Sequence, residues 1–176
     1  ASTNLARFDG VLHTSRSKSA DSIDALYDNS RKEGFGPEVK QRILLGTYVL
    51  SSSEMESYYK KAQQVRTLII RAFKAAYESC DVIAMPTAPY SAFDIGSIRD
   101  SLSLYLQDVY TIPANLAGLP AISIPSGFTS DNRPFAMQLM GPHKADSRVM
   151  RFAYHLEKAF GFSPKIPPAF DKENLA

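Results

Sequence analysis

A chain of 176 residues, 44% hydrophobic and 22% charged, has the apolar content to bury a core, which excludes a disordered segment. Its net charge of +2 at pH 7 is too small to mark a nucleic-acid surface, and its basic residues are interrupted by Glu38, Glu54 and Glu56. The single cysteine excludes an internal disulfide and weakly favours a reducing compartment, and no apolar run nears the ~20 residues that cross a bilayer.

The start, Ala1-Ser2-Thr3-Asn4, has neither the basic region nor the apolar stretch of a signal peptide, and reads as an interior point of a longer chain. Residues 1–20 are mixed and polar around Leu5, Phe8, Val11 and Leu12. A helix is predicted from Ser22, which can cap it, because Ile23, Leu26 and Tyr27 share one face; Gly34 and Gly36 end it. Pro37 suits the first turn of a second helix, which Val39, Ile43, Leu44 and Val49 carry to about Leu50. Ser51-Ser52-Ser53 breaks the pattern, and Ser53 with Glu56 matches a capping box. The longest helix is predicted from Glu54 to Ser79, free of Pro and Gly, with Tyr58, Ala62, Val65, Ile69, Ala72 and Phe73 at helical spacing. Cys80, just beyond it and before an apolar run, reads as a core residue.

Asp81 to Pro86 reads as a buried strand stopped by proline, followed by a loop-rich stretch to Ser101. A short helix is expected from Leu102 to Asp108, and Pro113 can open another turn through Leu119. Strands are expected at Ala121–Ile124 and Phe135–Met140, joined by a loop containing Gly127, Ser130, Asp131, Asn132 and Pro134. An amphipathic helix from Ala145 to Phe160 presents Val149, Phe152, Ala153 and Leu156 on one side. The pattern is α/β, with residues 1–162 forming part of one domain and 163–176 a Pro-rich tail. Three strands make a small sheet whose edges call for strands from elsewhere.

No dinucleotide, phosphate-loop, zinc or nucleophile-elbow motif occurs, so neither a metal site nor a nucleophile has a signal. Two polar residues stand in apolar surroundings. Arg42 precedes Ile43-Leu44-Leu45, and Asp108 lies between Leu104-Tyr105-Leu106 and Val109-Tyr110. If both are partly buried they must be paired, with each other or with a ligand. An amino acid offers a carboxylate for the guanidinium fork and an ammonium for the carboxylate, although a structural ion pair explains the same residues.

Several segments, taken in order, resemble the A subunits of glutamyl-tRNA(Gln) amidotransferases, members of the amidase signature family. They are NLARFDG at 4–10, EGFGPEVKQRILLGTYVLS at 33–51, YYKKA at 58–62, PTAP at 86–89 and PANLAGLPAISIP at 113–125. RFDG and EGFG are more specific to those subunits, whereas the last segment is shared more widely among amidase-signature enzymes. The resemblance implies the C-terminal portion of an amidase-signature fold, a mixed β-sheet layered by helices. It implies glutamine hydrolysis by a Ser–cis-Ser–Lys triad that releases ammonia for converting Glu-tRNA(Gln), and in some members Asp-tRNA(Asn), to the amidated form.

No triad residue has a counterpart here, so no catalytic residue is assigned and the triad is expected upstream of Ala1. By the same resemblance Arg42 corresponds to the arginine that clasps the glutamine α-carboxylate, and Asp108 to the aspartate that holds the α-amino group. Implied partners are a B subunit that uses ATP and Mg²⁺, a bracing C subunit, glutamine, and mischarged tRNA through the complex; no cofactor falls to this chain and no membrane contact is implied. The implied setting is the bacterial cytoplasm, with an organelle as the other option. Two further readings stand beside this one: a non-catalytic module docking on partner subunits, and part of another amidase-signature hydrolase.

Overall fold

The computed structural model describes residues 2–97 and 101–161; the expected tail, 163–176, lies outside them. The chain divides into two compact units, Ala1–Gln64 and Val65–Ala176.

The first unit is helical. Helix α1 (Ser2–Leu5) leads into a loop pinned to α2 (Ile23–Gly34) by polar contacts. Arg31 Nη2 donates to the Ala6 carbonyl at 2.9 Å, and the buried Ser30 hydroxyl accepts the Ser17 backbone N–H at 3.0 Å. Gly10 in the RFDG segment has φ +75° and lies against Ser30, so a side chain there is opposed both by the backbone and by a collision. Asp9 Oδ1 accepts the N–H of Val11 at 2.8 Å and of Leu12 at 3.1 Å, and these bonds lower its pKa.

Ser22 caps α2 as expected, accepting the Ala25 N–H at 3.1 Å. Pro37 occupies the first turn of α3 (Pro37–Val49), where its missing N–H costs nothing. The predicted capping box at Ser53 does not form. A π-helix (Met55–Lys60) starts there with Glu54 at the cap position and no side-chain cap bond, while the Ser53 hydroxyl meets that of Ser51 at 3.3 Å. The long helix therefore opens with a π segment before continuing as α4 (Lys61–Ala76).

In the second unit β1 (Ile83–Pro86), β2 (Ala121–Phe128) and β3 (Pro134–Met140) form a sheet of order β1-β3-β2, antiparallel throughout. Helix α5 (Ser101–Leu106) and α6 (Ile112–Ala117) precede β2, and α7 (Asp146–Phe160) follows β3. Gly118 ends α6 in the left-handed conformation, φ +66°, which its lack of a Cβ permits.

The two faces of the sheet are used differently. Ile122 pairs with Leu139 and Ile124 with Met137; Ile122, Ile124 and Leu139 pack with Val149, Ala153 and Leu156 of α7 as the apolar core. The intervening positions Ser123 and Gln138 pair with each other and belong to the other face, as alternation along a strand requires. Strand β2 runs past the expected Ile124 through Pro125 and a bulge to Phe128. A proline is tolerated because, among the described residues, β2 lies at the sheet edge, where no neighbour needs its N–H.

Cys80 is exposed, contrary to the expected core position. It follows the final turn of α4, and its thiol donates to the Ala76 carbonyl at 3.3 Å. Near it, Tyr77 stacks on Phe73 at 6.4 Å between ring centroids, and its shielded hydroxyl has no hydrogen-bond partner among the described residues. Burial, then the nearby Cys80, pushes the phenol pKa up to about 12. The folded state thus favours the neutral phenol, and the unfolded chain ionises first as pH rises past ~10. Stability is expected to fall between pH ~10 and about 12, and Tyr77→Phe to flatten that fall while stabilising at neutral pH by about 1 kcal/mol. Denaturant melts of both proteins across that range check this; equal pH slopes would contradict it.

Candidate functional site

Arg42 sits in the second turn of α3. Its Nε donates to Glu38 Oε1 at 3.0 Å, one turn earlier on the same helix. The side chains are 53% and 46% exposed, so Arg42 lies half exposed on the helix surface and not in the core. The reason is local: α3 has no buried residue, and Leu44, Leu45 and Tyr48 are themselves exposed. A guanidinium on such a helix keeps its water and needs no ligand to offset burial.

Asp108 is likewise exposed, in the turn between α5 and α6. Its carboxylate stands outside the core while its backbone is held tightly. The Asp108 carbonyl accepts the Thr111 N–H at 3.1 Å, the Ile112 N–H at 3.0 Å and the Thr111 hydroxyl at 3.2 Å. Arg42 belongs to the first unit and Asp108 to the second.

Beside the Asp108 turn, α6 and the polar face of the sheet enclose a cavity of about 290 Å³ lined in part by Thr87, Thr111, Asn115, Ser123 and Gln138. The Thr87 and Ser123 hydroxyls meet at 2.8 Å, and Asn115 Nδ2 donates to the Thr111 carbonyl at 2.9 Å. Gln138, 3% exposed, donates from Nε2 to the Tyr110 carbonyl at 2.7 Å. Such neutral donors and acceptors can orient a polar group but supply no general base. Sequence reasoning passed over Gln138. The signal was present, a polar residue between Met137 and Leu139 in an apolar strand, and here the burial that it predicts is realised.

A second cavity, about 540 Å³, is bordered by Pro86, Pro89, Tyr90, Phe93, Pro125 and Phe135. Arg133 closes the nearby hairpin turn through ion pairs with Asp131 at 2.8 Å and Asp94 at 2.9 Å. The Thr129 hydroxyl bond, and to a lesser degree Arg133, keep the Asp131 carboxyl below its usual pKa. Among the described residues no group of three or more His, Cys, Asp and Glu side chains is placed to hold a metal, and no helix is long and apolar enough to cross a membrane.

The Amidase family model matches residues 1–150, most of the chain, and the chain belongs to that family. Its fold agrees: a crystal structure described as an amidase superposes with TM-score 0.63 at 22% identity, covering 78% of this chain and 32% of that one. Within the family, the A subunit of glutamyl-tRNA(Gln) amidotransferase from Protochlamydia amoebophila is 54% identical over 176 residues, which is 100% of this chain and 36% of the relative. The corresponding A subunit from Halothermothrix orenii is 49% identical over 167 residues, 95% of this chain and 35% of the relative. The crystal structure of the A subunit from Thermotoga maritima matches with TM-score 0.59 at 42% identity, covering 77% of this chain and 31% of that one. The chain thus spans about a third of the length of these relatives and corresponds to a partial amidase fold.

Proposed function

We propose that this chain is the C-terminal part of the glutamine-hydrolysing subunit of an aminoacyl-tRNA amidotransferase, and that it supplies the grip on the two charged ends of glutamine. The observation that carries this is the 54% identity to an amidotransferase A subunit across all 176 residues, a span that includes both Arg42 and Asp108. In this reading the Arg42 fork receives the α-carboxylate and the Asp108 carboxylate receives the α-ammonium. The side-chain amide is left to a Ser–cis-Ser–Lys triad outside this chain.

Splitting amide hydrolysis through an acyl-enzyme needs that triad together with backbone N–H groups for the oxyanion. Arg42 and Asp108 bind and orient; they do not attack. Ammonia passes to a partner B subunit, which uses ATP and Mg²⁺ to activate mischarged Glu-tRNA(Gln), and a C subunit completes a cytoplasmic heterotrimer.

The test is amide selectivity. The complete subunit, together with its partners, is expected to hydrolyse glutamine with a kcat/KM at least about a hundred-fold above that for a simple aliphatic amide, since such an amide can make neither of the two charge-assisted interactions. Comparable turnover of the aliphatic amide would instead place the chain in a hydrolase of another amide class.

A further inference from the structure

The turn that carries Asp108 is fixed from two sides. From within, three donors converge on the Asp108 carbonyl: the N–H groups of Thr111 and Ile112 and the Thr111 hydroxyl, at 3.1, 3.0 and 3.2 Å. From the sheet, Gln138 Nε2 reaches the Tyr110 carbonyl at 2.7 Å. Gln138 stands on the central strand, paired with Met85 on one side and Ser123 on the other, and is 3% exposed. A rigid strand therefore holds the backbone two residues beyond Asp108, whose own side chain is exposed.

This arrangement matters because a binding group works only when held within roughly 0.5 Å of its productive position by its supporting shell. The Asp108 side chain has few torsions, so fixing its backbone fixes most of its reach. We propose that Gln138 and Thr111 are positioning residues that lock the Asp108 turn to the sheet and thereby set the affinity for the α-ammonium end of the amino-acid substrate. The inference rests on the reading of Asp108 as a substrate ligand and extends it to two residues that act through Asp108.

Steady-state glutamine hydrolysis by the complete subunit, together with its partners, tests it with four variants: Q138M, T111V, D108A and the double variant D108A/Q138M. Methionine matches glutamine in length and carries no donor. Losing one neutral hydrogen bond at the turn is expected to raise the glutamine KM about three- to ten-fold in Q138M and about two- to five-fold in T111V. Because the effect is on binding, kcat is expected to stay within about two-fold. D108A is expected to raise KM at least as far, and Q138M to add nothing on that background, since both remove one interaction.

An unmoved KM in Q138M, or a full additional rise in the double variant, overturns the positioning role while D108A still reports the ligand role. An unmoved KM in D108A defeats the reading of Asp108 and the inference with it. If Q138M does not assemble, T111V decides: a raised KM at unchanged kcat supports the proposal, and an unchanged KM overturns it.

Discussion

Arg42→Ala, placed in the complete subunit, is expected to raise the KM for glutamine about ten- to hundred-fold and to leave kcat nearly unchanged. The size follows from the interaction removed, since a hydrogen bond between charged groups contributes about 1.5–3 kcal/mol. Loss of the Glu38 ion pair cannot account for such a change. The ion pair with Glu38 is half exposed on both sides, and exposed pairs contribute only about 0–1 kcal/mol. The melting temperature should therefore move little while affinity collapses. Arg42→Lys should fall between the two, because an ammonium keeps the charge but cannot offer two parallel donors to a carboxylate. Steady-state kinetics beside a thermal melt separate the effects, and a KM unchanged in both variants would remove Arg42 from the site.

Leu139→Ala is expected to destabilise the protein by about 2–5 kcal/mol. Leu139 is 2% exposed on the central strand and faces Val149 and Ala153 of α7 across the apolar core. The core is small, so a cavity there has few neighbours free to close it. Met150 on α7 is 60% exposed, and Met150→Ala should move stability by less than about 0.5 kcal/mol. Urea unfolding of the two variants provides the comparison. Similar losses would mean that helix α7 is not held through the Leu139 face.

The helices were legible where a start signal and an apolar stripe agreed. Ser22, Pro37 and the Val149-Ala153-Leu156 stripe each placed an element within a residue or two of where it lies. Strand β2 is longer than expected because Gly127, assigned to the connecting loop, continues the strand through a bulge. The π-helical start at Met55 was not legible, because its residues also fit a 3.6-residue repeat. For the site, residue identity was legible and environment was not. Arg42 and Asp108 each adjoin apolar residues in the sequence, but α3 and the Asp108 turn leave those residues exposed, so adjacency alone did not tell how far either is buried. Gln138 met the same criterion and is the one that the fold encloses.

In the proposed function, side chains of this chain recognise the charged ends of an amino acid whose amide is cut by groups elsewhere. This recognition is tested most directly by comparing kcat/KM for glutamine with that for its analogue lacking the α-amino group, in the wild-type protein and in Asp108→Ala. The wild type should prefer glutamine by about ten-fold or more, the value of one charge-assisted hydrogen bond, and Asp108→Ala should treat the two amides nearly alike. An Asp108→Ala enzyme that keeps the full preference for glutamine would contradict the account.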